Sequence, residues 1–408
     1  MPKIVQSLQQ HISQVSPEQP VRVIVRYRGT PEAAVTRAAV AGRVTTYRLV
    51  PFAALELSAQ RVQSLAELDT VEQVWPDLPV HIWLQQSIVL LGVPQVWATG
   101  DRGQGIVIAV VDTGIDVTHP DLQGRVTLTK DFSGEGFQDN HGHGTHVAGI
   151  IAGNGSASNG EYSGVAPEAT LIAAKVLKGD GSGLTSDVMA GVEWAVQNGA
   201  HVINLSLGSD GSCDGTDPLS QMCDAAVDAG AVVCVAAGNA GPTPRTVGSP
   251  GCAAKPITVG ATDVNDHVAS FSSRGPTADN RIKPDICFPG VAIVSCRAHG
   301  TSMGQTINEF YTSASGTSMA TPHCSGAAAL LLQADRSRKP QDIKNLLMNS
   351  AKDLNTDVYA QGRGRAQVYE AYLGHETPPP PPPPPSDGGG GCSQVIRRFW
   401  QVLPIGRT

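Results

Sequence analysis

Charged side chains are scarce in this 408-residue chain, at 16%, and their balance is acidic, with a formal net charge of −7. That balance lacks the basic field a nucleic-acid binder uses, so no nucleic-acid partner is expected. None of the eight cysteines falls into a Cys-x-x-Cys pair, which removes the usual zinc signatures. Met1–Pro20 holds no apolar h-region, so no secretory signal is visible. The last stretch, Cys392–Thr408, is too short and too basic to span a membrane. Aliphatic and small residues fill the space that charges leave, with 45 glycines among them. This composition and length suit a compact α/β protein with a large core.

Apolar runs at 106–111, 171–177, 201–205, 231–236 and 257–261 read as strands, each long enough to be buried on both faces. Between them Thr185–Asn198, Pro218–Ala229 and Ala327–Gln333 have helical patterns. Alternation of this kind predicts an α/β fold, a mainly parallel sheet covered by helices on both sides. The first 80 or so residues form a separate unit. Val21–Arg28, Arg43–Val50, Phe52–Leu57 and Val71–Trp75 read as strands, and Pro31–Val40 and Ser58–Leu68 as helices, the second with a serine N-cap. The sum is β-α-β-β-α-β, the ferredoxin-like pattern. Beyond Leu373 a proline run, Pro378–Pro385, meets a glycine run, Gly388–Gly391, giving a stiff spacer and a flexible joint ahead of a short basic tail.

Three segments carry reactive side chains: Val-Val-Asp-Thr-Gly at 110–114, His-Gly-Thr-His-Val-Ala-Gly at 143–149 and Gly-Thr-Ser-Met-Ala-Thr-Pro-His at 316–323. A serine hydroxyl is a poor nucleophile at neutral pH and needs a base. Histidine, with an ordinary pKa of about 6.5, suits that task. Asp112 ends the strand 106–111, at the edge where α/β sheets hold ligands, and can fix the tautomer of His143. Ser318 precedes a helical stretch, with Pro322 expected in its first turn, so free N–H groups and the helix dipole face developing negative charge. A lone aspartate at a strand end is ordinarily a turn residue, and a lone Gly-Thr-Ser a loop. Their coincidence in the order Asp, His, Ser, joined by Ala-Ala-Gly-Asn at 236–239, is what speaks for chemistry. His146 and His323 read as hydrogen-bonded structural residues.

With their flanks, these segments resemble the subtilisin-like serine peptidases, the subtilase family, over roughly Leu84 to Leu373. The resemblance implies a three-layer catalytic domain at 84–373 and a serine endopeptidase with Asp112, His143 and Ser318 as its triad. It also implies Asn239 as donor to the oxyanion, and chemistry without a cofactor. Gly181, Ser182 and Gly183, with Ser206, Leu207 and Gly208, match the segments that pair with an extended substrate backbone. Ala240 stands where some relatives carry a glutamate, and Gly248 lies in the stretch that resembles the family's S1 wall. Polypeptide substrates with apolar or uncharged P1 residues are therefore expected, and a monomer. Residues 1–83 resemble the family's propeptide, an intramolecular chaperone and inhibitor that would be released by self-cleavage near Val80–Ser87, leaving 374–408 as linker and tail. Asp121 matches a structural-calcium ligand, although the loop Asn154–Tyr162 departs from the ligand-supplying version. Cys213 with Cys223, or Cys287 with Cys296, can bridge, with Cys324 a buried thiol. Such cysteine usage points to an oxidising, secreted setting, against the lack of a visible signal. The rival readings are a catalytically silent peptide-binding relative and a stand-alone interaction domain at the N-terminus.

Overall fold

The computed structural model describes residues 3–28, 44–47, 50–77 and 85–374. The chain divides into two compact units, Met1–Ile82 and Trp83–Thr408. In the first, β1 (Pro20–Tyr27) alternates strictly, burying Val21, Val23, Val25 and Tyr27. It lies between β3 (Phe52–Ser58) and β4 (Val71–Pro76), both antiparallel to it, and β2 (Val44–Thr46) adds to the far edge of β3. The helix Ala59–Ala66 is capped by the Ser58 hydroxyl, which accepts from the Arg61 N–H, and buries Ala59, Val62 and Leu65 at helical spacing. A further helix, Gln6–Gln14, escapes a pattern search because its glutamine-rich sequence offers only Leu8 and Ile12 as an apolar pair. The helix expected over Pro31–Val40 lies outside the described residues.

The second unit is built on a seven-stranded parallel sheet in the order β11-β10-β9-β8-β5-β7-β6. Its strands are β5 (Val107–Asp112), β6 (Val126–Asp131), β7 (Thr170–Lys175), β8 (Val202–Leu205), β9 (Val232–Ala236), β10 (Ile257–Thr262) and β11 (Ile286–Pro289). Continuous β-branched and small residues such as Val-Ile-Ala-Val-Val suit strands with no solvent face. Ile108 and Val110 join a core with the helices His143–Ala152 and Thr317–Ala334. Ala109 and Val111 point the other way, towards the helices Thr185–Gln197 and Pro218–Asp228. β5 has β7 on one side and β8 on the other, so the chain order reverses there. Such a reversal leaves a crevice beyond the carboxyl ends of the strands, beside Asp112.

Two sequence expectations need correction. The helix read from Ala327 starts ten residues earlier, at Thr317, so Pro322 sits inside it rather than in its first turn. The Gly-Thr-Ser-Met-Ala-Thr stretch carries no strong helical stripe because that helix is buried nearly all round. Cys213 pairs with Cys252 rather than Cys223, and Cys223, Cys287, Cys296 and Cys324 are buried free thiols. Proximity across the fold decides the pairing, and sequence spacing does not carry it.

Behind β11 a buried charge cluster fixes the sheet edge. Asp285 accepts from Lys283 at 2.7 Å, from Lys344 at 3.0 Å and from the Thr258 N–H at 2.8 Å. Burial alone would raise the Asp285 carboxyl, but the two ammonium groups hold it below the usual range. At Lys283 burial wins instead and brings the pKa down to about 8, because two cations share one carboxylate. Replacing Asp285 with alanine strands both ammonium groups, so Asp285→Ala is expected to cost about 3–5 kcal/mol of stability. Urea unfolding measures this, and a loss below about 1 kcal/mol would show that the cluster relaxes into solvent.

Candidate active site

The Asp112 carboxylate and the His143 imidazole meet because two backbones approach more closely than side chains on them would permit. A Cβ at Gly144 would strike the carbonyl of Gly114, and a Cβ at Gly142, which holds φ +101°, would lie 2.6 Å from Thr301 Oγ1. The helix that starts at His143 therefore abuts the turn after β5. Asp112 is fully buried, and its Oδ1 accepts from His143 Nδ1 at 2.7 Å and from the Thr113 N–H at 2.7 Å. Its Oδ2 is buried without a hydrogen-bond partner among the described residues. Nδ1 must carry the hydrogen to make this bond, which leaves Nε2 free to accept a proton. The imidazole side chain remains 17% exposed, enough to be reached from the cleft it lines. Burial disfavours its charged form, yet Asp112 and, further away, Asp139 outweigh that and raise the pKa above the ordinary 6.5.

Asp139, which sequence reasoning missed, ties the site together. Its Oδ1 accepts from Thr113 Oγ1 at 2.9 Å and from the Gly142 N–H at 2.7 Å, and its Oδ2 from the N–H and hydroxyl of Thr145. Gly144 N–H donates in turn to Thr113 Oγ1. An acidic residue four positions before the first residue of a helix was the available signal, since such a carboxylate can serve orphan N–H groups.

Ser318 is the second residue of its helix. Its Oγ donates to the Ser206 carbonyl at 3.0 Å, and no hydrogen bond joins it to His143 among the described residues. Both line one cleft of about 880 Å³, so the hydroxyl and the imidazole open on the same space. Apo sites of this class are commonly loose in this way. Ser206 is held from below, where Asn204 Nδ2 donates to its hydroxyl and Ser325 to Asn204 Oδ1. The Asn239 amide is oriented by Thr317, whose N–H and hydroxyl donate to Oδ1 at 2.9 and 3.0 Å. Its Nδ2 then borders the same space as the Ser318 N–H, since a Cβ on Gly316 would lie 3.5 Å from one and 3.6 Å from the other. Two N–H donors flanking one void can bind an oxyanion.

The remaining sequence candidates divide. Gly181, Ser182 and Gly183 form one side of a tight hairpin closed by Lys178 N–H to the Ser182 carbonyl at 2.7 Å, with Gly181 at φ +81°. The Ser182 hydroxyl is spent on Asp180 at 2.6 Å, so this segment offers backbone rather than side chain. Ser206, Leu207 and Gly208 continue β8 along the opposite wall, and all six residues line the cleft. Gly248 packs against the Ser209 carbonyl, closing the floor. Asp217 also reaches this lining, but Ser220 and Ser249 already donate to its carboxylate. His146 donates from Nε2 to carbonyls, and His323 lies between the Met319 carbonyl and Ser87 Oγ.

Asp121 does not fit a calcium ligand. It is fully buried, and hydrogen donors face both oxygens: Ala157 N–H at 2.8 Å and Ser156 Oγ on Oδ1, Tyr311 O–H at 2.7 Å and Cys296 Sγ on Oδ2. Burial pushes the Tyr311 and Cys296 pKa values up, so both stay protonated. The nearby His119 is likewise used, accepting the Asp121 N–H at Nδ1 and donating to Phe310 from Nε2. A cation that needs six to eight oxygen ligands finds hydrogen atoms there instead.

Residues 103–365 match the model of the Subtilase family. The chain is similar to the serine protease AprX of Bacillus subtilis, 40% identical over 332 residues that span 74% of this chain and 75% of that one. It is similar to the M-protease of Shouchella clausii, 40% identical over 79% of this chain and 80% of the relative. Among solved structures, a cold adapted subtilisin-like serine proteinase is 33% identical and superposes with a TM-score of 0.53, over 65% of this chain and 88% of that chain.

Substituting Asp121 with alanine is expected to lower the melting temperature by the same amount in excess calcium and in excess chelator, at about 1–3 kcal/mol per buried donor left unpaired. A loss seen only with calcium present would instead mark a cation site.

Proposed function

The chain belongs to the subtilase family and is a serine endopeptidase that needs no cofactor for its chemistry, and we propose that its acyl-enzyme forms on Ser318. In this reading His143 Nε2 takes the hydroxyl proton as Oγ attacks the scissile carbonyl. The tetrahedral oxyanion accepts from Asn239 Nδ2 and the Ser318 N–H, and the imidazolium then protonates the leaving amine. Water repeats the sequence on the acyl-enzyme. Asp112 holds the imidazole in the required tautomer and stabilises it when charged. The reading rests on the 2.7 Å contact between Asp112 and His143, opening on the cleft that Ser318 and Asn239 share. Removing one such oxyanion donor in relatives costs about 10²–10³ in turnover.

The substrate would lie extended between the hairpin at 181–183 and the segment 206–208, held by main-chain hydrogen bonds. Ser209, Gly248 and Ser249 in the cleft lining are uncharged, the Asp217 carboxylate is occupied and Asp210, the other carboxylate in the lining, is exposed to solvent, which supports apolar or uncharged P1 residues. We read residues 1–83 as a propeptide, released when the domain 84–373 cleaves the connection near Val80–Ser87. Residues 80–84 of that window lie outside the described residues. The support is the β-sheet of the first unit, whose strand order has β1 and β3 at its centre as in ferredoxin-like folds. A parallel sheet is rich in non-local contacts and folds slowly, which gives a template its purpose.

A serine-directed organophosphonate is expected to modify Ser318 in the wild type and to leave Ser318→Ala unmodified. Wild-type chain should lose the mass of its first unit with time, while Ser318→Ala stays full length. Labelling without mass loss would retain the peptidase and remove self-maturation; failure to label would leave a silent peptide binder.

The pH profile follows from His143, which must be neutral to act as base. Its raised pKa means that kcat/KM falls as pH drops through a value above 6.5. Asp112→Asn removes the charge that raises it, so the acid limb should move to lower pH. Turnover should fall roughly 10⁴-fold, as the same change does in another serine peptidase. An acid limb that stays in place would separate Asp112 from the base.

A further inference from the structure

Lys175 is a cation in the core that the acyl-transfer scheme leaves unused. It ends β7, is 1% exposed, and its Nζ donates to two carbonyls, Thr113 at 2.8 Å and Leu177 at 3.0 Å. A buried ammonium that faces only carbonyls costs several kcal/mol unless opposite charge is close. The sheet register supplies that charge. Lys175 is paired with Asp112 on β5 and with Asp131 on β6, so three charges stand abreast at the carboxyl edge in the order minus, plus, minus. All three lie on the face that carries the His143 helix, since Leu171 and Ala173 share that core while Ile172 and Ala174 face the other way. Asp131 is held below the usual carboxylate range; burial opposes this, and hydrogen bonds from Ser133 and Gly136 together with the Lys175 charge produce it.

We propose that Lys175 is a positioning residue for the peptidase centre, its ammonium tying the turn after Asp112 to the start of the substrate hairpin and balancing the buried Asp112 carboxylate. The proposal rests on the reading of Asp112 and His143 given above. Thr113 is the shared point: its N–H donates to Asp112 Oδ1, its hydroxyl connects Asp139 with Gly144, and its carbonyl accepts from Lys175. Leu177 opens the hairpin that lines the cleft and pairs with Gly183. One ammonium therefore fixes the catalytic acid and one wall of the substrate channel relative to each other. Its strand position abreast of Asp112 sets a positive charge on the sheet edge beside a carboxylate whose Oδ2 has no hydrogen bond among the described residues to offset burial.

The charged and titratable groups next to His143 are Asp112 from the sheet, Asp139 and His141 before the helix and His146 within it, while Lys175 and then Asp131 stand abreast of Asp112 in the sheet register. Removing the Lys175 charge should raise the His143 pKa further, and removing the Asp131 charge should lower it. Lys175→Met is thus expected to move the acid limb of kcat/KM up by about half a unit to one unit, and Asp131→Asn to move it down by less. Lys175→Met should also raise KM for an extended peptide more than for a single-residue ester, because the hairpin loses its anchor. With Lys175→Ala, added ethylamine should restore turnover saturably while propanol should not. A merely structural lysine would lower the melting temperature and shift neither limb.

Organophosphonate labelling of the wild type is the control for the parent reading. If wild type labels at Ser318 but folded Lys175→Met keeps both its acid limb and its KM ratio, the proposal is overturned. If Lys175→Met does not accumulate, Asp131→Asn decides alone, and an acid limb that is unmoved or moves up overturns it. If wild type does not label, the peptidase assignment of Ser318 fails first, which is a distinct result.

Discussion

The site depends on one contact that must be made in a dry place, the bond between the Asp112 carboxylate and His143 Nδ1. A buried carboxylate is costly, and it survives only where donors and opposite charge compensate it. Here the compensation is distributed. Oδ1 takes two donors, a cation stands one strand away, and the His143 ring beside it can itself become a positive charge. The geometry that permits this is steric rather than electrostatic. Gly144 lets the helix start press on the turn after β5, and no residue with a Cβ could stand there without displacing the Gly114 carbonyl. Helix placement, strand end and acid–base pair are therefore one feature.

The β5 strand end and the His143 helix were legible in the sequence because both carry uninterrupted apolar runs next to a polar residue that has no packing role. The Asn239 strand was legible for the same reason, with Val-Val-Cys-Val-Ala running straight into the site. The N-terminal half of the Ser318 helix was not. Thr317, Thr321, His323 and Ser325 are all buried, so the helix has polar atoms on its packed faces and no periodic stripe. Thr321 bonds back to the Thr317 carbonyl in its own helix, but the others reach partners across the fold, Asn239 for Thr317, Ser87 for His323 and Asn204 for Ser325, and such pairs are invisible along the chain. Asp139 was missed for a related reason: four of its five acceptor contacts are made within a tight loop and the following helix start, where a single aspartate looks like any turn residue, and the fifth comes from Thr113 across the fold.

The disulfide shows the same limit from another side. Cys213 and Cys223 are neighbours in sequence, but the Asp217 cap turns the chain into a helix between them and carries Cys223 into the core. Cys213 is left beside the segment that follows Gly248, where Cys252 waits. The bridge therefore joins the loop after Gly208 to the segment after Gly248, two stretches that face each other across the floor of the cleft.

At Asp121 the fold solves with protons what a cation would otherwise do. Two carboxylate oxygens buried between a helix and a loop need several positive partners, and either a metal or a ring of donors can supply them. The Asn154–Tyr162 loop brings the Ala157 N–H and the Ser156 hydroxyl to one oxygen, while Tyr311 brings a phenol to the other. A donor ring of this kind is covalently part of the chain, so it cannot be lost to a chelator or diluted away. It also forms only when loop and strand are already in place, whereas a cation can bind early and draw the loop in. That difference transfers part of the folding task to whatever brings those segments together first. In a sheet with long crossovers between neighbouring strands those contacts are non-local and close late, so the donor ring is assembled after the sheet rather than before it.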